Sequence, residues 1–366
     1  MKIGIVGLPN VGKTTLFNAL SNNHAPAENY PFCTIEPNVA SVPVPDPWLE
    51  QLAVLIKPRK VIHASVDFVD IAGLVKNAHK GEGLGNQFLG HIRDVDALAH
   101  VVRCFDSENV SHMHGSPSPV TDIEIVDLEL VMADLRTLEN RLNKAARVAH
   151  SSDANTRHEA DLLERLKPVL EAGVPLRRHF SAYPPAKDDL PLLDEFRFLT
   201  AKPVMYVINM GEQYDDRTVE RMALVRKCTA IEKAEVLPIC AEIEMELGEL
   251  DPEERRLFIK ELGIDVHGLR EIVQAGYRLL NYITFYTIVS DETRAWAVVQ
   301  GTTAPEAAGK IHSDMETGFI RADVVQCKNL LEVGSIAHAR DHGMLLSEGR
   351  NYLVRDGDVL YIHFKV

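Results

Sequence analysis

The stretch Gly7-Leu8-Pro9-Asn10-Val11-Gly12-Lys13-Thr14 follows the phosphate-binding loop pattern Gly-x-x-x-x-Gly-Lys-Ser/Thr. The glycines of this pattern let consecutive backbone N–H groups point at phosphate oxygens. Lys13 is predicted to reach the outer phosphates, and the Thr14 hydroxyl is predicted to bind Mg²⁺. The predicted phosphate site therefore consists of Asn10, Val11, Gly12, Lys13, Thr14 and Thr15.

The residues on either side of this loop have the character that the pattern requires. Lys2-Ile3-Gly4-Ile5-Val6 predicts a short buried strand, and Thr15 to Leu20 predicts the start of a helix. The N-terminus of such a helix adds its dipole to an anion site. The order strand, loop, helix indicates a nucleotide-binding domain.

Further apolar runs at 61–69, 99–105, 204–208 and 236–239 read as strands separated by helical stretches. This alternation predicts the α/β class, with a mostly parallel sheet covered by helices on both faces. Ligands of such sheets bind at the carboxyl ends of the strands. The candidate nucleotide motifs all follow a predicted strand directly.

Asp70-Ile71-Ala72-Gly73 follows the second predicted strand. Asp70 is a candidate Mg²⁺ ligand, and the Gly73 N–H is a candidate sensor of the γ-phosphate. Thr34, in the loop before that strand, is a candidate third metal ligand. A strand-terminal turn at Asp70 and an ordinary loop threonine at Thr34 are the alternatives.

Leu74 follows Gly73, at a position where many GTPases carry a glutamine that orients the attacking water. Leucine has no group that can do this. We therefore expect slow intrinsic hydrolysis, or help from another residue such as His112 in the Ser/Pro/Gly-rich segment 111–119. A solvated loop histidine is the alternative at His112.

Asn209-Met210-Gly211-Glu212 lies where a GTP-binding domain carries Asn-Lys-x-Asp. The aspartate of that pattern accepts two hydrogen bonds from guanine, whereas Met210 and Glu212 do not reproduce this arrangement. Because a mispaired buried polar group costs about 1–3 kcal/mol, the change could erase or reverse a preference for guanine. Backbone groups near Met210 could serve adenine instead.

Two apolar stripes between the third and fourth predicted strands have helical spacing. The first is Leu128, Val131, Leu135, Leu138, Leu142, Ala145 and Ala149, and the second is Leu162, Leu163, Leu166, Val169 and Leu170. They predict an antiparallel helical hairpin, inserted at about 127–200 and shaped as a projecting coiled coil. Two helices packed on the sheet are the alternative.

The last part of the chain predicts a small α+β domain. Runs at 283–287, 295–299 and 359–364 read as strands, and Thr303 with Glu306 reads as the cap of a short helix. The predicted domains are 1–280 and 283–366. The second has no catalytic pattern, so a binding role is the better hypothesis.

Bulk composition limits the classes of function. The formal net charge of −14 argues against a protein that coats nucleic acid. Five scattered cysteines are typical of reduced thiols in the cytoplasm, and no apolar run has membrane-spanning length. We expect a cytoplasmic monomer without a membrane partner.

Taken together, these motifs resemble the YchF/Obg-like ATPase family. The resemblance is carried by residues 7–15, 29–38, 67–75 and 80–89, and it continues to the C-terminus at 294–296 and 308–312. It implies three parts, of which the last is a TGS domain with a ubiquitin-like β-grasp fold. It also implies Mg²⁺ dependence, preference for ATP over GTP, and binding to the ribosome, with its rRNA and proteins.

The resemblance also carries over residue by residue. It places the nucleotide site at residues 10–15, the metal positions at Thr14 and Thr34, and the base contact at the Met210 backbone. Leu74 stands at the position of the replaced glutamine. The assisting histidine falls on His112, with His114 left open, and Asn10 matches a position that coordinates K⁺ in some relatives.

Three hypotheses follow from the sequence. The first is a slow, partner-stimulated ATPase whose nucleotide state gates ribosome binding. The second is a GTPase of the same architecture. The third is a scaffold in which nucleotide hydrolysis is incidental.

Overall fold

The computed structural model describes residues 1–22, 38–71, 84–107, 110, 117–148, 154–212, 215–262, 268–289 and 291–365. The chain forms two compact units. The first contains residues 1–41 and 67–272, and the second contains residues 42–66 and 273–366. Among the described helices, none has the length and apolar character needed to cross a membrane.

A six-stranded sheet forms the centre of the first unit. Its strands are β1 (Lys2–Val6), β2 (Val39–Pro43), β4 (Ser65–Asp70), β5 (Ala97–Arg103), β6 (Val204–Asn209) and β7 (Val236–Ile239), in the order β2-β4-β1-β5-β6-β7. The pairs from β4 to β7 are all parallel. Every residue of β5 and β6 is buried, as expected for central strands covered on both faces. The predicted mostly parallel sheet is confirmed.

Helices connect these strands. They are α1 (Lys13–Asn22), α3 (Leu84–Arg93), α4 (Pro119–Val148), α5 (Ala154–Glu171), α6 (Leu176–Ala182), α7 (Leu190–Phe196), α8 (Asp216–Thr229), α9 (Ala241–Glu249), α10 (Pro252–Leu262) and α11 (Gly268–Leu279). Short 3₁₀ turns span Lys187–Asp189, Leu199–Ala201 and Ala230–Glu232. Helix α1 begins at Lys13, so the phosphate loop joins the end of β1 directly to a helix N-terminus.

Helices α4 and α5 form the predicted hairpin, since Arg141 near the end of α4 bonds Glu159 near the start of α5 at 3.1 Å. Their shared core contains Val131, Leu138 and Leu166, and it is completed by Phe196 and Phe198 after α6. Helix α4 also contacts β5 and α8. The structure therefore combines the hairpin with packing on the sheet.

Leu128 does not belong to the hairpin core. Its side chain is 53% exposed, so the prediction that it starts the apolar stripe is wrong. The neighbouring residue Asp127 is buried instead, because it pairs with Arg177 of α6. The ion pair of Asp127 with Arg177 thus determines which face of α4 is buried here. The spacing of the apolar residues alone indicates a different face.

A buried charge cluster links α4, α6, β6 and the turn Ala230–Glu232. Arg177 contacts Asp127 and donates from Nε to Glu232 at 3.0 Å. Arg178 donates to the other oxygen of Glu232 at 2.9 Å, and the Tyr206 hydroxyl donates to Glu232 at 2.9 Å. Two arginines thus face two carboxylates, which compensates charges that burial alone would strongly disfavour.

The second unit is built on a mixed six-stranded sheet. Its strands are β3 (Lys60–Ile62), β8 (Tyr282–Val289), β9 (Glu292–Val299), β10 (Phe319–Gln326), β11 (Leu346–Glu348) and β12 (Asp358–Phe364), in the order β11-β10-β12-β8-β9-β3. Its helices are α2 (Pro47–Ile56), α12 (Ala304–Ile311), α13 (Ser313–Thr317), α14 (Cys327–Val333) and α15 (Ile336–Asp341). Helix α12 packs its alanines against Phe285, Val298 and Leu360. The predicted small α+β unit is confirmed.

The local signals of this unit were read correctly. The Thr303 N–H donates to the Glu306 carboxylate at 2.7 Å, as expected for the cap of α12. The predicted strands match β8, β9 and β12. Strands β10 and β11 and helices α13 to α15 are additional to the prediction.

Residues 61–69 do not form one strand, and that prediction is wrong. Strand β3 pairs in parallel with β9 in the second sheet, whereas β4 pairs with β1 in the first. The two short strands are separated only by His63 and Ala64. Their division between sheets depends on partners far along the chain, which local hydrophobicity does not encode.

Residues 42–66 are fixed to the C-terminal sheet by specific contacts. Asp46 caps α2, and the Tyr286 hydroxyl donates to both of its carboxylate oxygens at 2.9 and 2.8 Å. Gly357 has a left-handed φ of +83°, and a Cβ there would lie 2.3 Å from the Trp48 ring. The structure thus groups this segment with the second unit, whereas the boundaries 1–280 and 283–366 assign it to the first; those boundaries stay a prediction.

We expect Asp127→Asn to destabilise the first unit by about 3–5 kcal/mol, because Arg177 would keep a buried charge with too little compensation. The free energy of unfolding from urea titration measures this change. Glu124→Gln, an exposed change one turn away on α4, is the matched control and should lie within about 0.5 kcal/mol of the unchanged protein. Equal stability of the two variants would contradict the importance of the cluster.

Candidate nucleotide-binding site

The phosphate loop has the backbone that anion binding needs. Asn10 has a φ of +63° and Gly12 a φ of +95°, both in the left-handed region. Alternation into this region turns successive N–H groups toward one side of the chain and creates a concave anion site. At Gly12 a Cβ would also lie 2.2 Å from Nδ2 of Asn209, so only glycine fits.

Asn209 links the phosphate loop to the loops that follow β6 and β7. Its Nδ2 donates to the Val11 carbonyl at 2.9 Å, and its Oδ1 accepts from the Ala241 N–H at 3.2 Å. The side chain is buried at the end of β6. One amide therefore joins the ends of three strands, β1, β6 and β7, through the loops that follow them.

Lys13 is buried beneath the loop, with 7% of its surface exposed. Its Nζ donates to the Leu8 carbonyl at 2.8 Å. Burial lowers the pKa of Lys13 to about 8, and the charge of Asp70 opposes this effect. The amine is thus desolvated at the site where phosphate charge would be placed, and a bound polyphosphate would favour its protonated form.

Thr14 and Asp70 come together at the edge of the sheet. The Thr14 hydroxyl donates to Oδ2 of Asp70 at 3.2 Å, although 56 residues separate them. A hydroxyl and a carboxylate are hard oxygen ligands of the kind that Mg²⁺ binds beside a phosphate. The donor set of this chain therefore fits the metal that P-loop nucleotide hydrolases use.

A cavity of about 830 Å³ opens next to the loop. Phe105, Met210 and Met245 contribute apolar surface to its lining, whereas Thr14 and Thr15 lie at its phosphate end. Its volume falls in the range of small-molecule sites, which are typically lined by apolar groups with a few placed polar ones. The volume and lining of the cavity are therefore suitable for a nucleotide.

The Met210 loop differs from the sequence hypothesis in one detail. The Met210 N–H donates to the Ile239 carbonyl at 2.8 Å and continues the pairing of β6 with β7. Glu212 is exposed at the cavity lining. The Met210 N–H is therefore already bonded within the sheet, whereas Met210 and Gly211 both line the cavity.

The structure brings together most of the predicted site. Asn10, Gly12, Lys13, Thr14, Thr15, Asn209, Met210 and Glu212 line the cavity, Val11 accepts from Asn209, and Asp70 bonds Thr14. Thr34, Gly73, Leu74 and His112 lie outside the described residues.

Sequence reasoning missed one wall of the cavity, formed by Phe105, Asp106, Ser107 and Val110. The signal was present, because these residues follow the central strand β5 and the carboxyl ends of parallel strands form the ligand edge. The predicted strand ran to Phe105, but β5 ends at Arg103, so Phe105 was assigned to the sheet and the three wall residues after it were given no role.

These features define a P-loop nucleoside triphosphate-binding domain of the GTPase class, followed by a smaller C-terminal domain. Residues 2–155 match the family model described as "50S ribosome-binding GTPase". Residues 282–365 match the model of the YchF-GTPase C-terminal family, described as "Protein of unknown function (DUF933)".

Full-length relatives identify the family. The "Ribosome-binding ATPase YchF" of Bacillus subtilis is 45% identical over 366 residues, with 99% of each chain covered. That of Escherichia coli O157:H7 is 45% identical over 365 residues, with 100% of this chain and 99% of the other covered. The solved structure of the Schizosaccharomyces pombe YchF GTPase matches with a TM-score of 0.87 at 32% identity, over 99% of this chain and 97% of the other. The chain belongs to the YchF family.

We expect nucleotide binding to take up protons above pH 8. The Lys13 pKa of about 8 means that part of the amine is neutral there, and the polyphosphate raises the pKa again. Affinity should therefore be highest below pH 8 and fall as the pH rises through 8. Calorimetry in buffers of different ionisation enthalpy should give roughly 0.5–0.8 proton per nucleotide at pH 8.5.

Lys202→Arg is the control for this measurement. Burial also lowers the pKa of Lys202, but this lysine donates to backbone carbonyls of Arg93 and Val95. Its replacement should leave the proton uptake unchanged. Uptake that is absent at pH 8.5, or that disappears in the Lys202 variant, would contradict the assignment to Lys13.

Proposed function

We propose that this protein binds and slowly hydrolyses ATP, and that its nucleotide state controls binding to the ribosome. The relatives named ribosome-binding ATPases, at 45% identity over the full chain, support both parts of this proposal. The intact phosphate loop and its cavity support nucleotide binding independently. The proposed partner is the ribosome, through rRNA and ribosomal proteins, and the proposed location is the cytoplasm. We further propose that the protein acts as a monomer without a membrane partner.

The observation that carries the choice of ATP is the loop after β6. Asn209 bonds the phosphate loop at Val11. The loop after β6 therefore keeps the asparagine that guanine-binding domains carry at its first position. Met210 and Glu212 then replace the lysine and the aspartate that read guanine. Glu212 is exposed, and Met210 and Gly211 line the cavity, which supports a base read by the backbone groups of this loop.

The residues proposed for hydrolysis neutralise the charge of the phosphates and position the reacting groups. Lys13 would neutralise the outer phosphates, and Gly73 would sense the γ-phosphate. Leu74 leaves the attacking water without an orienting side chain, and His112 would assist when a partner is bound. Slow intrinsic turnover with stimulation by a partner follows from this arrangement.

Thr14 and Asp70 would hold Mg²⁺ together with Thr34. When bound, the metal supplies positive charge that stabilises the phosphate oxygens during transfer. Asn10, whose backbone has a left-handed φ, stands at the position proposed to bind K⁺. Comparison of turnover in potassium and sodium buffers tests this last assignment.

We expect the unchanged protein to bind ATP more tightly than GTP. The double variant Met210→Lys with Glu212→Asp restores the guanine-reading pair and should shift the ratio of the two Kd values toward GTP by about 10-fold or more. Side-by-side titration of the two nucleotides measures the ratio.

Glu242→Asp is the matched control, because Glu242 also lines the cavity but lies on α9 rather than in the loop after β6. It should leave the ratio within about 2-fold. A clear GTP preference of the unchanged protein would reject the choice of ATP and favour a GTPase of the same architecture.

We also expect ribosome binding to depend on the bound nucleotide. Co-sedimentation with ribosomes should differ by about 5-fold or more between ADP and a non-hydrolysable ATP analogue, which is the usual range of coupling between two sites. Lys13→Ala should remove this difference because it removes the charge that recognises the phosphates.

Lys2→Ala, on an exposed position of β1, should retain the nucleotide dependence and so controls for a general loss of charge. The scaffold hypothesis makes the opposite prediction. A scaffold would sediment equally in both nucleotide states, and Lys13→Ala would keep its affinity for the ribosome.

A further inference from the structure

Arg103 is a large buried cation that the proposed mechanism does not use. It is the last residue of β5, and 1% of its surface is exposed. Its guanidinium carbon lies 4.4 Å from the centre of the Phe105 ring. Nε donates to the Phe105 carbonyl and Nη1 to the Val110 carbonyl, each at 3.1 Å.

These contacts fix the wall that sequence reasoning missed. Phe105 and Val110 both line the nucleotide cavity, and Arg103 holds the carbonyls of both. On the side of the base-binding loop, a Cβ built on Gly211 would lie 3.5 Å from the Phe105 Cβ. Phe105 therefore lies next to the loop proposed to read the base.

Arg221 supports the same wall through Cys104 and Asp106. Its guanidinium donates to the Cys104 carbonyl at 3.2 Å and to Oδ1 of Asp106 at 2.9 Å. Arg103 is thus distinguished by its position over the Phe105 ring. A cation placed over an aromatic face is attracted by it, most strongly where both are desolvated.

We propose that Arg103 is a positioning residue, which holds Phe105 as a preformed stacking surface for the base of the nucleotide. The inference rests on the proposed function, because it assigns the base end of the cavity to Phe105. An aromatic ring held in its bound orientation loses little conformational freedom on binding. Stacking of a base on an aromatic side chain typically changes affinity by about 5- to 150-fold.

The experiment compares a ligand that has a base with one that has none. Kd is measured for a non-hydrolysable ATP analogue and for inorganic triphosphate, both with excess Mg²⁺, in the full chain. Arg103→Gln should raise the Kd of the analogue by about 10-fold or more and the Kd of triphosphate by less than about 2-fold. A change in folding alone would weaken both ligands equally and leave their ratio unchanged.

Two further variants keep the test decisive if Arg103→Gln does not fold. Arg103→Lys retains a cation but cannot donate in the same forked geometry, so its loss should be intermediate. Phe105→Leu should reduce the ratio of the two affinities as Arg103→Gln does. Combining Phe105→Leu with Arg103→Lys should reduce it no further, because the ring that the cation positions is already gone.

Arg141→Gln is the matched control. Arg141 also lies over a phenylalanine ring, at 4.5 Å from that of Phe196, and it donates to the Glu195 backbone in the helical hairpin. This variant should leave both affinities unchanged.

Equal losses for the analogue and triphosphate, or additive effects of the Phe105 and Arg103 variants, would overturn the role of Arg103. Failure of the unchanged protein to bind the ATP analogue would instead reject the proposed function.

Discussion

The buried side chain of Asn209 is the constraint on which the nucleotide site depends. Its amide bonds the phosphate loop at Val11 on one side and the start of α9 at Ala241 on the other. The same amide fills the space where a Cβ of residue 12 would lie, so the glycine of the loop and the asparagine of β6 are fitted to each other. One side chain at the end of β6 thereby links the phosphate loop to the start of α9.

Arg177 and Lys13 are both buried cations of the first unit, but their hydrogen-bond partners give them different roles. Arg177 is surrounded by Asp127, Glu232 and the Tyr206 hydroxyl, so its charge is compensated within the fold and contributes to holding α4 and α6 on the sheet. Lys13 has a neutral carbonyl as its hydrogen-bond acceptor, and its pKa is lowered to about 8. Desolvation makes the charged form of Lys13 less stable in the free protein, and a bound polyphosphate would stabilise that form again. Part of the binding free energy therefore depends on this one amine.

Residues close together in the sequence predicted the nucleotide motifs. Contacts between residues far apart in the sequence determine the features that the prediction missed. The phosphate loop, the strand ends at Asp70 and Asn209, and the cap at Thr303 all depend on residues a few positions apart, so the sequence indicates them directly. The separation of β3 from β4 depends on β9, more than 220 residues further along the chain. The exposure of Leu128 depends on Arg177, which buries the neighbouring Asp127. Such pairings are set by tertiary contacts, which hydrophobic spacing does not report.

Affinity for the base and choice of the base have separate sources in this site. Stacking on Phe105 is available to adenine and guanine alike, because every base has an aromatic face. Discrimination requires hydrogen bonds to the base edge, which we propose for the loop from Met210 to Glu212 at the end of a different strand. In this proposal Arg103 and Phe105 determine how tightly any purine nucleotide binds, whereas the loop after β6 determines which purine is preferred. A substitution in the loop after β6 could therefore change which nucleotide is preferred while the affinity that comes from Phe105 is kept.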